Sequence, residues 1–384
     1  MAARAKTTNR SKRVDSVRAS RDGHQFHEAW VARRALGLLL PRFDLCGIAV
    51  EGLSEEDEEG APAASVEIAD ATFYYGKGTS FESCARIEIA QFKYSISKAG
   101  TPLRIADLRK TLVKFAATEK ELLSKHGAEA VARKVTYSIN TNRPFASEML
   151  EAFRSASTGQ PAVSADADGQ LSQLRSAVKQ SDDGLRRFAD RVLLVGRMDS
   201  LGAVERGNAR TVADWSASND ALARARIGDL RDMVRKKAGS HGQRDKVVTQ
   251  VDVLSALGLR HESELLPTPQ AFPEVGNVVR RAQLSEFIAT LVKASRWIVQ
   301  ASGGLGKTVF VQSVAAELAQ HHEVVLFDCF GGGAYRTLAD GRHRPERGLL
   351  HVVNELACRG LCDPILPGTS DSAEVVRRSI HRSA

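Results

Sequence analysis

The feature that most constrains the fold of this 384-residue chain is a glycine-rich loop between an apolar segment and an amphipathic helix. Residues 296–308 read Arg-Trp-Ile-Val-Gln-Ala-Ser-Gly-Gly-Leu-Gly-Lys-Thr. Glycines adopt the backbone angles that turn successive N–H groups towards a bound anion. A strand over 296–300, this loop and a helix over 307–320 therefore predict an α/β domain that binds nucleotide phosphates.

Five residues of this loop are the predicted contacts to ATP and its Mg²⁺. The three glycines form a backbone cradle, the lysine approaches the terminal phosphates, and the threonine hydroxyl ligates the ion. These residues are Gly303, Gly304, Gly306, Lys307 and Thr308. The first glycine of the usual pattern is Ala301 here. The alternative interpretation is a glycine-rich loop that binds nothing.

The loop and the segment 324–336 resemble the STAND class of signalling NTPases, the NACHT and NB-ARC relatives. The resemblance implies that 269–384 is the N-terminal part of a P-loop STAND NTPase domain, with a second core strand before Asp328. That residue is either a Walker B acid or a cap on the turn. No later strand ending in paired acids follows, so we expect a C-terminally truncated chain that binds ATP weakly and does not hydrolyse it.

A second pattern, between residues 24 and 140, has the order helix, three strands, helix, strand. Helical apolar spacing and runs of β-branched and aromatic residues define these elements. The predicted helices are 24–40 and 103–125, the latter ended by Gly127, and the predicted strands are 46–51, 66–75, 85–94 and 134–140.

Three side chains of the second and third strands are predicted to share one site. Asp70 interrupts an apolar run, where an unpaired carboxylate is costly. Gln91 and Lys93 are two residues apart in a strand, so they point to one face and Glu88 points to the other. Phosphodiester cleavage needs carboxylates that hold a divalent metal, a base or polarised water, and a cation near the phosphate.

This arrangement resembles the PD-(D/E)xK nuclease motif in its Q-x-K variant, as in Mrr-type restriction enzymes. It resembles more closely the N-terminal double-stranded-DNA endonuclease domains of bacterial anti-phage effectors. The resemblance implies a restriction-endonuclease-like αβββαβ domain over 23–155. It also implies Mg²⁺ or Mn²⁺ held by Asp70, Glu51 and Gln91.

Two further roles follow from this resemblance. Lys93 is predicted to orient or activate the attacking water. Glu28, whose helical neighbours are small or apolar, is predicted to face inward and assist. Gln91 replaces the commoner glutamate, which removes a negative charge and should weaken metal affinity.

Simpler interpretations of the same residues stay open. Lys93 is alternatively an exposed strand lysine, Asp70 a hairpin-edge acid, and Glu28 a surface acid. The segment 140–144 is predicted to be a turn, in which Arg143 either contacts a DNA phosphate or has no such role.

The rest of the chain offers fewer signals. Residues 1–22 are predicted to be a disordered basic tail, which attracts nucleic acid or aids solubility. Residues 156–268 are predicted to be a linker and a mostly helical connector, with 155–170 as a loose loop. The five cysteines are scattered, which argues against a disulfide framework. No segment approaches ~18 consecutive apolar residues, so we expect a cytoplasmic protein without a membrane span.

The sequence thus predicts an α/β multidomain protein with a nuclease domain, a helical connector and a partial P-loop NTPase domain. The leading hypothesis is a metal-dependent DNA endonuclease effector controlled by an ATP-binding STAND module in anti-phage defence. A phage-derived trigger would bind a C-terminal region missing here, the chain would form homo-oligomers, and double-stranded DNA would be cut. The alternatives are a catalytically inactive, nucleotide-gated scaffold that binds DNA, and a modification-dependent restriction endonuclease.

Overall fold

The computed structural model describes most of the chain beyond its first nineteen residues. The described residues are 20–58, 69–216, 220–239, 245–266, 272, 279, 281–291, 296–336 and 341–367. The predicted disordered tail lies outside them, except that 20–22 already belong to the first helix. Two compact units are present, Met1–Ala213 with Asn219–Gly258, and Asp214–Ser218 with Leu259–Ala384.

The first unit is built on a mixed six-stranded sheet, which makes it an α/β structure. The strands are β1 (Leu45–Val50), β2 (Ala71–Gly76), β3 (Cys84–Lys93), β4 (Val135–Thr141), β5 (Val192–Val195) and β6 (Val247–Val248). Their order across the sheet is β5-β4-β3-β2-β1-β6. The first three strands form an antiparallel meander, β4 and β5 continue from β3 in parallel, and β6 is antiparallel to β1.

Helices connect and cover these strands. The first helix spans 20–35 and continues as a 3₁₀ segment, Leu36–Leu39. The others that begin in this unit are the 3₁₀ segment Pro41–Phe43 and the helices Glu55–Glu58, Ile105–His126, Ala128–Lys134, Ser147–Thr158, Ala165–Val178, Asp182–Asp190, Leu201–Ser216, Asp220–Ala238 and Gln250–Ala256. The order predicted for 24–140 is therefore observed, with two additional short helices, Glu55–Glu58 after β1 and Ala128–Lys134 before β4.

The long helix Ile105–His126 is the crossover between the parallel strands β3 and β4. Its apolar residues recur every three or four positions, so one face is buried against the sheet. There the ring centroid of Phe115 lies 5.0 Å from that of Tyr137, which in turn lies 5.6 Å from that of Phe188. The helix ends at Gly127, which has a φ of 81°.

The interpretation of 155–170 as a linker or loose loop is wrong. Only 159–164 lie outside helices, and Ser164 caps the next helix by accepting a hydrogen bond from the Ala167 N–H. Small residues suggested flexibility, but Ala152 and Ala156 are buried in the core, where they let the helices approach closely. The helices Ala165–Val178 and Asp182–Asp190, with β5 and β6, therefore belong to the same unit as the meander.

The second unit contains the helices Gln283–Leu291, Lys307–Leu318 and Pro345–Cys358 and two 3₁₀ segments, Glu262–Glu264 and Gly331–Arg336. The predicted strands 296–300 and 324–328 are not paired strands in the described part of the chain. A strand is stable only when it pairs with neighbours, whereas Ile298 is 94% exposed. Nowhere in the described ranges is a helix both long and apolar enough to cross a membrane.

Candidate functional site

Polar residues meet where the three strands of the meander end. Glu51 directly follows β1, Asp70 directly precedes β2, and Lys93 is the last residue of β3. Because the strands pair antiparallel, the end of β1, the start of β2 and the end of β3 lie at the same end of the sheet. The backbone fixes them there, because the Glu51 N–H donates to the Asp70 carbonyl at 3.1 Å and the Asp70 N–H donates to the Ala90 carbonyl at 3.0 Å.

Four of the five residues predicted for the nuclease site line one cavity of about 490 Å³. They are Glu51, Asp70, Gln91 and Lys93. The long helix Ile105–His126 supplies the opposite wall through Lys110, Thr111 and Lys114. The cavity thus combines two carboxylates, one amide and three ammonium groups.

The Asp70 carboxylate is held in place by its neighbours. Its Oδ2 accepts a hydrogen bond from the Phe92 N–H at 2.6 Å and lies 3.4 Å from His27 Nε2. The side chain is only 14% exposed. The alternative of a freely exposed hairpin-edge acid therefore does not describe Asp70.

Glu51 occupies an uncommon backbone conformation and an unfavourable electrostatic position. Its φ is 58°, a region that residues other than glycine seldom adopt. Burial, and then repulsion from Asp70, raise the pKa of the Glu51 carboxyl to about 7, while Lys114 opposes the shift. A cation between the two carboxylates would relieve this repulsion.

Lys93 and Gln91 contribute the remaining polar atoms of the cavity. Burial is the main cause that lowers the pKa of the Lys93 ammonium; Asp70 opposes it, and Lys114 and Lys110 add to the lowering. The side chain is half-buried, so Lys93 is not a freely exposed strand lysine. Gln91 is buried and adds no charge.

Glu88 lies on the opposite face of β3, as the strand alternation predicts. Its carboxylate accepts hydrogen bonds from the Tyr75 hydroxyl at 3.0 Å and from the Ser138 hydroxyl at 2.8 Å. Arg34 lies 3.3 Å from the same carboxylate. Glu88 therefore belongs to a separate polar network.

The prediction that Glu28 faces this cavity is wrong. Its carboxylate accepts hydrogen bonds from Arg235 Nε at 2.9 Å and Nη2 at 2.8 Å, and Arg231 lies 3.7 Å away. Adjacent helical residues point about 100° apart. Because His27 faces Asp70, Glu28 faces a different part of the unit. That part is the helix Asp220–Ala238.

Arg143 has a structural position rather than an accessible one. It is buried, and its guanidinium donates to the carbonyl of Thr101 at 2.8 Å and to that of Pro102 at 3.3 Å. Of the predicted turn over 140–144, residues 140 and 141 belong to β4 and the chain bends at 142 and 143. The structure gives no support to a phosphate contact of Arg143.

The predicted phosphate loop has a backbone suited to anion binding. Gly304 and Gly306 have φ values of 77° and 73°, and the helix Lys307–Leu318 begins directly afterwards. The Lys307 ammonium donates to the carbonyls of Ala301 at 2.6 Å and Ser302 at 2.9 Å, so it lies over its own loop. Gly303 and Thr308 are exposed. These features fit a nucleotide phosphate, whose oxygens would replace the two carbonyls as partners of Lys307.

Asp328 has the geometry of a turn cap. Its Oδ1 accepts hydrogen bonds from the N–H groups of Phe330 and Gly331, both at 2.9 Å. Arg342 lies 3.6 Å from the other carboxylate oxygen. Because these partners engage both oxygens, the cap interpretation fits better than the Walker B one.

Several residues around the cavity were not predicted from the sequence to belong to the site. His24 and His27 are three apart on the first helix, and Lys110 and Lys114 are four apart on the long helix. Both spacings put a pair on one helix face, which was the available signal. Nothing in the sequence indicated which strand ends those faces would meet.

Comparisons with known proteins add little to this geometry. No family model matches the chain, and no curated protein matches its sequence. Among solved structures, this chain is similar to two structures of the Acinetobacter baumannii Cap4 SAVED/CARF-domain receptor. One is described with the cyclic trinucleotide 3′3′3′-cAAA and the other without a named ligand. Both show 11% identity and a TM-score of 0.34 over 61% of this chain and 46% of that one. The same receptor with 2′3′3′-cAAA shows 12% identity and a TM-score of 0.34 over 61% of this chain and 44% of that one. The chain thus spans less than half of those proteins, and a likeness of this size assigns no function.

Proposed function

We propose that the first unit is a metal-dependent DNA endonuclease that hydrolyses phosphodiester bonds. The observation that carries the proposal is the convergence of Asp70, Glu51, Gln91 and Lys93 on one cavity. Residues from three strands supply both acidic and basic groups there, which is what hydrolysis of a charged diester requires.

The donor atoms of the cavity fit a hard divalent cation. Asp70 and Glu51 offer carboxylate oxygens and Gln91 offers an amide oxygen, the ligands that Mg²⁺ and Mn²⁺ accept. Burial and repulsion from Asp70 raise the pKa of Glu51, and a bound cation would counter both effects by favouring the charged carboxylate. When bound, the ion would polarise the scissile phosphate and lower the pKa of an attacking water.

The chain's own residues would position the reactants. The Phe92 N–H holds the Asp70 carboxylate at the cavity wall. Lys93 lines the same cavity as Asp70, where it would orient or activate the attacking water. Lys110 and Lys114 line the opposite wall, where they would attract the DNA backbone.

The experiment is a cleavage assay of the purified chain on linear double-stranded DNA with Mg²⁺ or Mn²⁺, with and without ATP. Lys93→Ala is the test variant. Lys98→Ala is the matched control, because Lys98 is an exposed lysine five residues further along the chain. We expect cleavage by wild type and Lys98→Ala and none by Lys93→Ala.

The same assay separates the alternative functions. Binding of DNA without cutting under every metal and nucleotide condition would contradict the nuclease proposal and favour the DNA-binding scaffold. A requirement for methylated sites would instead favour a modification-dependent restriction enzyme.

We also propose that the loop around Lys307 binds ATP with Mg²⁺ and controls the nuclease. The positive φ angles of Gly304 and Gly306 and the helix that follows them support this. The wider role, an oligomerising anti-phage effector that senses a phage-derived trigger, rests on the sequence resemblance. A phage challenge of bacteria carrying wild type or Lys93→Ala tests that role, and equal phage titres would contradict it.

A further inference from the structure

Two histidines of the first helix lie beside the cavity. His24 and His27 are three residues apart, which puts them on the same helix face. One ligand atom of each lies within 4.8 Å of the other and of a Glu51 carboxylate oxygen. The cluster thus joins residues of the first helix to the end of β1.

The His27 imidazole also contacts the second carboxylate of the site, since its Nε2 lies 3.4 Å from Asp70 Oδ2. Its Nδ1 is buried and has no hydrogen-bond partner in the described part of the chain. A buried polar atom without a partner is costly, which requires an explanation at this position.

Aromatic packing explains only part of this arrangement. The His27 ring lies 5.4 Å from the Phe92 ring and 6.0 Å from that of His24. A phenylalanine at position 27 would pack equally well against Phe92. This packing also gives no reason for the exposed His24 side chain to approach Glu51.

We propose that His24, His27 and Glu51 bind a divalent transition-metal ion, with the Asp70 carboxylate beside them. Imidazole nitrogens suit Co²⁺, Ni²⁺ and Zn²⁺, whereas Mg²⁺ takes oxygen ligands. Because Glu51 and Asp70 also belong to the proposed nuclease site, the inference deepens that proposal and rests on it for any catalytic role of the ion. The nuclease would then be more active with Co²⁺ than with Mg²⁺.

The test measures metal binding by the full chain without DNA. Co²⁺ is titrated in excess Mg²⁺ and followed by its visible absorption and by calorimetry. The variants are His24→Ala, whose side chain is exposed, and His27→Gln, which keeps a polar group of similar size. His321→Ala is the control, because His321 is an exposed histidine in the other unit.

We expect His24→Ala and His27→Gln to weaken Co²⁺ binding by about 10- to 100-fold or more, since removal of an outer partner of a metal ligand already has that effect. His321→Ala should match wild type. Equal Co²⁺ affinities in wild type and His24→Ala would overturn the inference, and this comparison stands even if His27→Gln misfolds.

The outcomes separate this inference from the proposed function. Binding of Co²⁺ through His24, by a protein that never cuts DNA, would contradict the nuclease alone. Cleavage that depends on Lys93, by a protein whose Co²⁺ affinity is unchanged in His24→Ala, would contradict the histidine site alone.

Discussion

The Asp70 carboxylate accepts a hydrogen bond from the Phe92 N–H, with 2.6 Å between Oδ2 and the nitrogen. This bond ties the start of β2 to the end of β3, one residue before Lys93. The acid and the lysine of the candidate site are therefore positioned by the pairing of β2 with β3. Substitutions that keep this bond should separate the chemistry of Asp70 from its structural contribution.

Asp70→Asn should abolish DNA cleavage and leave the fold intact. An asparagine keeps the shape and an acceptor oxygen for the Phe92 N–H, but it loses the charge that would hold a metal ion. We expect cleavage to fall by two orders of magnitude or more, and the free energy of unfolding to change by about 1 kcal/mol. Cleavage assays and urea denaturation measure the two effects. Asp190→Asn, at an exposed aspartate, is the control, and equal cleavage by both variants would contradict the assignment.

Glu28→Gln should lower the stability of the fold and leave DNA cleavage unchanged, the reverse of what we expect for Asp70→Asn. Glu28 pairs with Arg235 and Arg231 rather than lining the cavity. Loss of its charge should lower the free energy of unfolding by up to about 1 kcal/mol, because Arg235 is half-exposed and solvent screens the pair. It should leave cleavage at the wild-type rate. The measurements are urea denaturation and the cleavage assay. A variant as inactive as Lys93→Ala would show that Glu28 takes part in the chemistry after all.

The sequence predicted the meander and the site on it because strand alternation is a local property. Gln91 and Lys93 share a face, and Glu88 faces away, for reasons contained within β3 itself. Asp70 was singled out because it interrupts an apolar run, whereas Glu51 was assigned only through the resemblance to the nuclease family. Local patterns therefore sufficed for Asp70, Gln91 and Lys93, but not for Glu51.

The errors have a common physical cause, because each depended on which surfaces pack together. Glu28 and His27 belong to the same helix, and only the position of the helix Asp220–Ala238 decides which of them meets the cavity. The small residues of 155–170 read as a loop, yet the helices around them are stabilised by burial against the sheet. Strand propensity likewise failed for 296–300, where the described residues supply no pairing neighbour.

Lys307→Ala should abolish the stabilisation of the second unit by ATP. The ammonium makes hydrogen bonds to the carbonyls of Ala301 and Ser302, and a phosphate would take their place as the stronger, charged partner. We expect the melting temperature of wild type to rise with ATP and Mg²⁺, and that of the variant to stay constant. Thermal denaturation measures both, with Lys98→Ala as the control. The same rise in Lys307→Ala as in wild type would contradict the phosphate-binding assignment.

Glu51→Gln should stabilise the metal-free protein at neutral pH more than at acidic pH. Burial and Asp70 raise the pKa of the folded-state carboxyl from 4.5 to about 7, so the folded state binds the extra proton between those values. The stability of wild type therefore falls as the pH rises from 4.5 to about 7, whereas glutamine has no charge to lose or gain. The full shift is worth roughly 3 kcal/mol, and partial exposure of the side chain reduces this to about 1 kcal/mol. Urea denaturation in a chelator at pH values across that range measures the difference between the two proteins. Glu129→Gln, at an exposed glutamate, should show no such trend. A difference between Glu51→Gln and wild type that stays constant with pH would mean that the pKa of Glu51 is not raised in the folded state.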